Sequence, residues 1–74
     1  MQLPDRITVD KAVRSGRPVI RGTRVPVDLV LGKLAGGMSY DEVIAEYEIA
    51  REDILAALEY AARTIGEERL HVAV

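Results

Sequence analysis

The sequence predicts a mostly α-helical fold, a helix-turn-helix bundle of three helices preceded by a short N-terminal β-arm or hairpin. Two observations support this prediction. Up to residue 27 the apolar residues are mainly β-branched and lie in short runs broken by glycine and proline, which is typical of strands. From residue 28 onward they recur at helical spacing, and start and stop signals divide this part into three segments.

The composition favours one small domain with a marginal core. The 74 residues include no cysteine, tryptophan or phenylalanine, and the formal net charge is −2. A chain of this size buries about 60% of its unfolded surface. Because no disulfide or Cys/His cluster can add stability, we expect a homodimer in which the N-terminal arm of one chain lies on the other. The sequence shows no signal peptide or membrane span, so we expect a cytoplasmic protein with no membrane partner.

The charges are divided unevenly between the two halves of the chain. Residues 1–33 hold seven Lys or Arg and three acids, a net charge of +4. Residues 34–74 hold three Arg and nine acids, a net charge of −6. A basic half on one face can bind phosphates even when the whole chain is acidic. The alternative is that the two halves attract each other, within the fold or across a dimer.

The first predicted element is the β-arm. Ile7-Thr8-Val9 is a short strand, and Pro18–Val27 contains two β-branched runs that predict a hairpin. With Gly22-Thr23 as a two-residue type II′ loop, Ile20 lies opposite Val25. The prolines of this segment cannot donate backbone hydrogen bonds, so its strands are short or lie at an edge.

The first two helices are predicted at 28–35 and 40–47. Asp28 is the expected N-cap of the first, and a glycine pair follows its last residue. The second has the clearest start signal in the chain, because Ser39 and Glu42 match the S-x-x-E capping box.

The third helix is predicted at 51–65, with Gly66 as its stop and Ala50 as a weak N-cap. We expect a single domain over residues 5–66 and a flexible tail over residues 67–74. The predicted core consists of apolar residues from all three helices, namely Leu31, Leu34, Val43, Ile44, Tyr47, Ile54, Leu58 and Ile65.

Catalysis has little support in the sequence, and we predict that the protein is not an enzyme and uses no metal or cofactor. The only histidine is His71, in the predicted tail. The two serines are explained by a turn at Ser15 and a helix cap at Ser39. The acid pairs Asp41-Glu42 and Glu52-Asp53 lie in first helical turns, where the helix dipole favours negative charge in any protein.

Residues 37–58 have the pattern of a helix-turn-helix. Small Ala45 lies where the second helix must approach, and apolar Ile49 lies in the connection. This pattern is weak evidence for DNA binding, because three-helix packing alone requires it. The residues that helix three would present to a groove carry a net charge of −2, which opposes contact with phosphates (Arg51, Glu52, Asp53, Ala56 and Glu59).

The predicted hairpin is the better candidate for binding nucleic acid or a partner. Its candidate residues are Arg17, Arg21, Gly22, Thr23 and Arg24. In the predicted register Arg21 faces Arg24, and like charges facing each other on a ribbon cost about 0.2–1 kcal/mol, which a bound anion would relieve. The anion could be a phosphate backbone, a carboxylate of a partner protein or the acidic half of a dimer mate. The alternative is three arginines in water.

The segments Ile7–Asp10 (ITVD) and Ser15–Val27 (SGRPVIRGTRVPV) resemble a prokaryotic family catalogued as domain of unknown function 433. The resemblance continues through Gly36–Ser39 and Ile54–Ala61, so it covers about residues 5–63. It implies a homeodomain-like three-helix fold after a short β-arm. Lys11 stands where the family usually has proline, which loosens the arm, and Ala50 stands where a Ser or Thr cap is usual.

For several members, the resemblance also implies a role as an antitoxin paired with a small PIN-like ribonuclease toxin. We therefore expect this protein to be the antitoxin of a type II toxin–antitoxin pair and to neutralise such a toxin. In one version of this hypothesis it also binds its own operator DNA. The alternative is a non-enzymatic protein–protein interaction module without DNA binding. Salt-dependent binding to upstream DNA separates the two.

Overall fold

A computed structural model describes residues 3–67, apart from the side chain of Arg14. The chain forms three helices preceded by a two-stranded antiparallel sheet, which confirms the predicted fold class. The elements in chain order are β1 (Ile7–Thr8), a 3₁₀ turn (Arg14–Gly16), β2 (Val19–Ile20), α1 (Val27–Ala35), α2 (Tyr40–Tyr47) and α3 (Arg51–Glu67). No helix among the described residues is long and apolar enough to cross a membrane.

The strand β2 lies between β1 and the extended segment that leads into α1. Ile7 pairs with Ile20 in the sheet. On the other side of β2, the Ile20 N–H donates to the Val25 carbonyl at 2.9 Å, in the register that the sequence predicted. The predicted type II′ loop at Gly22-Thr23 is wrong, because the turn closes one residue earlier. The Thr23 N–H donates to the Ile20 carbonyl at 3.0 Å, so Gly22 occupies the third position of the turn.

The start of α1 differs from the prediction in its capping. The N-cap residue is Pro26, and Asp28 lies inside the first turn instead of capping it. The physical reason is the sheet: the Val27 N–H, a free donor at the helix start, donates to the Pro18 carbonyl at 3.0 Å. The boundaries of α2 are as predicted, and its capping box is present in full.

The helix α3 is longer than predicted, because Gly66 lies inside it instead of ending it. A single glycine in a helix costs about 1 kcal/mol relative to alanine and does not necessarily end it. The predicted flexible tail lies outside the described residues from residue 68 onward. The connection between α2 and α3 is tight, with Glu48 in the left-handed region at φ 54°.

The core lies between the sheet and the three helices. Val43 and Ile54 are buried as predicted, and four of the other predicted residues pack around the core while partly exposed (Leu31, Leu34, Ile44 and Tyr47). The prediction is wrong for Leu58 and Ile65, which are 38% and 61% exposed. The arm supplies three core residues that the predicted core omitted, namely Ile7, Val19 and Ile20. Ile54 and Ala57 of α3 are buried with them.

Candidate binding site at the arginine turn

The four residues Arg21-Gly22-Thr23-Arg24, here called the arginine turn, form a compact loop between β2 and α1. The Thr23 side chain closes it: its Oγ1 donates to the Ile20 carbonyl at 2.7 Å and accepts from the Val25 N–H at 3.0 Å. Gly22 has φ +80°, a conformation that residues with a Cβ rarely adopt. The sequence Gly-Thr therefore sets the loop geometry, and both flanking arginines are exposed.

The N-terminal segment holds Arg21 in place. Its backbone N–H donates to the Arg6 carbonyl at 2.7 Å, beside the pairing of β1 with β2. Its side-chain Nε donates to the Asp5 carbonyl at 2.5 Å. The Arg21 guanidinium is thus anchored through one nitrogen, and it can offer its remaining N–H groups to an anion. Arg24, on the other side of the turn, is exposed.

Arg17, the third predicted arginine, is engaged elsewhere. It forms an ion pair with Asp28 in the first turn of α1. Both side chains are at least half exposed, so the pair is screened by water. The structure therefore keeps Arg21, Gly22, Thr23 and Arg24 together in one turn and places Arg17 against α1.

A buried carboxylate that the sequence analysis assigned to an exposed helix face connects the arm to α3. Asp53 is only 9% exposed. Its Oδ2 accepts from the Ala50 N–H at 2.8 Å, which is the half of a capping box that an alanine at the N-cap still allows. Its Oδ1 accepts from Arg6 Nη1 at 3.0 Å, across 47 residues of sequence. The sequence contained a signal for the contact with Ala50, because Asp53 lies three residues after this weak N-cap, as the acid of a capping box does.

The helix-turn-helix formed by α2 and α3 presents a mixed surface. The guanidinium of Arg51 lies 4.8 Å from the centre of the Tyr40 ring, a cation–π contact between the two helices. Glu52, Leu55 and Glu59 are exposed along α3. A helix with this surface is poorly suited to a groove lined by phosphates.

A groove of about 490 Å³ runs between the N-terminal segment and α3. Residues 3–6 form one wall, and Glu52, Leu55, Glu59 and Arg63 contribute to the other. Its charged side chains carry both signs, and it is broadly open. It has neither the enclosure nor the convergent polar groups typical of a small-molecule site.

The acidic side chains are spread over the described residues. Within residues 3–67, no group of three or more His, Cys, Asp or Glu is arranged to hold a metal ion. The pKa of Glu42 lies below its usual value because its carboxylate accepts from the Ser39 backbone N–H, with a further contribution from the Ser39 hydroxyl. This carboxylate is committed to the capping box, where its Oε1 lies 2.9 Å from the Ser39 nitrogen.

The fold and the arginine turn define a small helix-turn-helix-type protein with an N-terminal β-arm. The family model described as "Protein of unknown function (DUF433)" matches residues 7–61. The chain belongs to this family.

Two solved structures are similar to the chain. One is a DUF433 member protein from Anabaena variabilis ATCC 29413, with a TM-score of 0.77 and 28% identity over 85% of this chain. The other is Rv2018 from Mycobacterium tuberculosis, with a TM-score of 0.65 and 31% identity over 70% of this chain. The matches span 63% of the first protein and 24% of the second, so both are longer than the matched region. No protein of curated function matches this chain.

Proposed function

We propose that this protein is the antitoxin of a type II toxin–antitoxin pair, acting in the cytoplasm, and that the arginine turn binds and neutralises a PIN-like ribonuclease toxin. The observation that carries the proposal is the anchored turn, which fixes Arg21 and exposes Arg24 beside it. The family resemblance supplies the class of partner.

The chemistry of such a partner suits the turn. A PIN-like nuclease holds its metal ions with clustered carboxylates, and guanidinium groups bind carboxylates through paired, charge-assisted hydrogen bonds. Because the hydrogen bonds of Thr23 already fix the loop, little conformational entropy is lost when it enters a cleft. Arg21 and Arg24 would neutralise the acids that hold the metal.

The proposal predicts that the neighbouring gene encodes a PIN-like nuclease. The experiment is to co-express the protein with that gene product and to measure binding by calorimetry and inhibition by RNA cleavage. Arg21→Gln with Arg24→Gln should weaken the complex by on the order of 100-fold, because each substitution removes a charged contact. Lys11→Gln with Lys33→Gln is the matched control, since it removes the same charge from exposed positions outside the turn.

The same variants also test whether the arginine turn binds operator DNA. If the turn binds upstream DNA, the affinity of the wild-type protein should fall steeply with salt, and each lost phosphate contact should lower the slope by about 0.9. Loss of DNA binding with full toxin inhibition would assign the arginines to the operator. If neither activity changes in the double variant, the assignment of the turn is wrong.

The second candidate function is a protein–protein interaction module that does not bind DNA. The exposed surface of α3 favours it, because Glu52, Glu59 and apolar Leu55 occupy the helix that would enter a major groove. Binding to a protein partner combined with no salt-dependent binding to upstream DNA would identify this module. Inhibition of the nuclease distinguishes it from the antitoxin.

A further inference from the structure

The helix α3 carries apolar side chains on a buried face and on a partly exposed strip beside it. Ile54 and Ala57 lie on the buried face, at 0% exposure. Three larger apolar residues of α3 lie outside the core: Leu55 is 48% exposed, Leu58 is 38% exposed and Ile65 is 61% exposed. With exposed Ala62 they are here called the outer row (Leu55, Leu58, Ala62 and Ile65).

The spacing of the outer row places its members on one line. Successive members are separated by three, four and three residues, so at about 100° per residue all four lie within about 80° of the helix circumference. The row extends about 15 Å along the helix. Single exposed apolar residues are common on protein surfaces, whereas contiguous apolar residues are more typical of a contact surface.

We propose that the outer row is the contact surface of an antiparallel homodimer, in which α3 packs against α3 of a second copy. The three-four-three spacing is the same in both directions, so the members of the two rows meet each other when the helices pair about a two-fold axis. With the axis at the level of residue 60, Leu55 contacts Ile65 of the second copy and Leu58 contacts Ala62. Each contact at Ala62 sets a large side chain against a small one, so the two helices can approach closely.

The charges beside the row are compatible with a second copy. Glu59 and Arg63 flank it and form an ion pair at 2.9 Å, so these two side chains together add no net charge beside the row. An antiparallel arrangement also sets the two helix dipoles in opposite directions, which is the favourable orientation. The second copy therefore fits the row without burying an unpaired charge there.

The dimer differs from the arm exchange that the sequence analysis expected. Within the described chain, the arm packs on its own core, with Ile7 fully buried and Arg6 bonded to Asp53. Leu55 borders the groove against the N-terminal segment, while Leu58, Ala62 and Ile65 are exposed beside the buried face of α3. An interface of this length buries roughly 800 Å² in total, which is small for a specific complex, so we expect a weak and reversible dimer. The proposal does not rest on the function proposed for the arginine turn.

Sedimentation velocity from about 1 to 300 µM tests the dimer. The wild-type protein should pass from monomer to dimer over this range, and Leu58→Asn and Ile65→Asn should each weaken association at least tenfold. Val9→Asn is the matched control, because Val9 is 47% exposed but belongs to the arm. Circular dichroism melts verify that every variant is folded. A monomer at all concentrations, or a dimer that both α3 variants leave unchanged, would overturn the proposal.

Cysteine cross-linking tests the register, since the native chain contains no cysteine. A mixture of Leu58→Cys and Ala62→Cys proteins should form a disulfide-linked heterodimer faster than either variant forms a linked homodimer. The reason is that position 58 of one copy lies beside position 62 of the other, within the short distance that a disulfide spans. Faster linking of position 58 to itself would contradict the antiparallel arrangement.

Discussion

The starts of α2 and α3 show two ways of satisfying the same backbone group. In both, a carboxylate three residues into the helix accepts the N–H of the N-cap residue: Glu42 accepts from Ser39 at 2.9 Å, and Asp53 accepts from Ala50 at 2.8 Å. The Glu42 box is exposed and contains no residue from another element. Asp53 is buried, and it also binds Arg6 of the arm.

This difference teaches that one carboxylate can serve both a helix and the packing of the whole domain. At α2 the capping residues act locally, so their loss affects one helix end. At α3 the cap is also the attachment point of the arm, whose strand β1 carries Ile7 into the core. Damage to Asp53 should therefore spread to the sheet, and damage to Ser39 should not.

Replacement of Asp53 is expected to have the largest effect on stability. Asp53→Ala should lower the free energy of unfolding by about 2–3 kcal/mol, because it removes the cap of α3 and the partner of Arg6 together. Urea denaturation measures this change. Asp41→Ala, which removes an exposed acid from the first turn of α2, is the control and should cost less than about 1 kcal/mol. Equal costs for the two variants would remove the contrast between the helix starts.

The contact between Arg6 and Asp53 should be measurable on its own. Arg6→Gln should cost about 1–1.5 kcal/mol, since the Arg6 side chain is half exposed and water replaces part of the interaction. In a double-mutant cycle, Arg6→Gln and Asp53→Ala together should cost about 1 kcal/mol less than the sum of the single variants. Additive costs would show that the arm is held without this ion pair.

Loss of the Ser39 cap should have a smaller and more local effect. Ser39→Ala should cost about 1 kcal/mol, the usual contribution of an N-cap side chain. Hydrogen exchange should become faster at the first amides of α2 and stay unchanged in β1. Faster exchange in the sheet would contradict the local character of this cap.

The smallest effect is the pH dependence of the α2 box. The pKa of Glu42 is lowered by the hydrogen bond from the Ser39 backbone, so its stabilising contribution is present above the unfolded-state pKa and is lost as the pH falls through the folded-state value. An NMR titration of the Glu42 carboxyl should give a midpoint below 4.5. Ser39→Ala should move it upward, because the hydroxyl contributes to the lowering. A wild-type midpoint at or above 4.5 would contradict the box.

The sequence predicted those parts of the fold whose signals lie within a few residues. The capping box at Ser39 and Glu42 fixed the start of α2, and the register of Ile20 with Val25 followed from the short loop between them. The bond from Arg6 to Asp53 could not be predicted, because it joins residues that only the packed arm brings together. The exposure of Leu58 has the same cause, since helical spacing alone does not tell which apolar face meets the arm.

The sequence indicated which residues form the candidate site, but it indicated only part of their arrangement. The motif pointed to Arg21, Gly22, Thr23 and Arg24, and these residues form one turn. The anchoring of Arg21 on the Asp5 carbonyl and the ion pair of Arg17 with Asp28 depend on distant backbone and helix positions. No local pattern encodes such contacts.

The most direct test of the central claim is a titration of the neighbouring gene product, which the proposed function predicts to be a PIN-like nuclease, with this protein, followed by cleavage of a fluorescent RNA. We expect inhibition that is complete near stoichiometric amounts of the wild-type protein. Under the same conditions, the variant with Arg21→Gln and Arg24→Gln should leave the nuclease active, because the groups that bind its carboxylates are absent. Full cleavage in the presence of excess wild-type protein would contradict the antitoxin function.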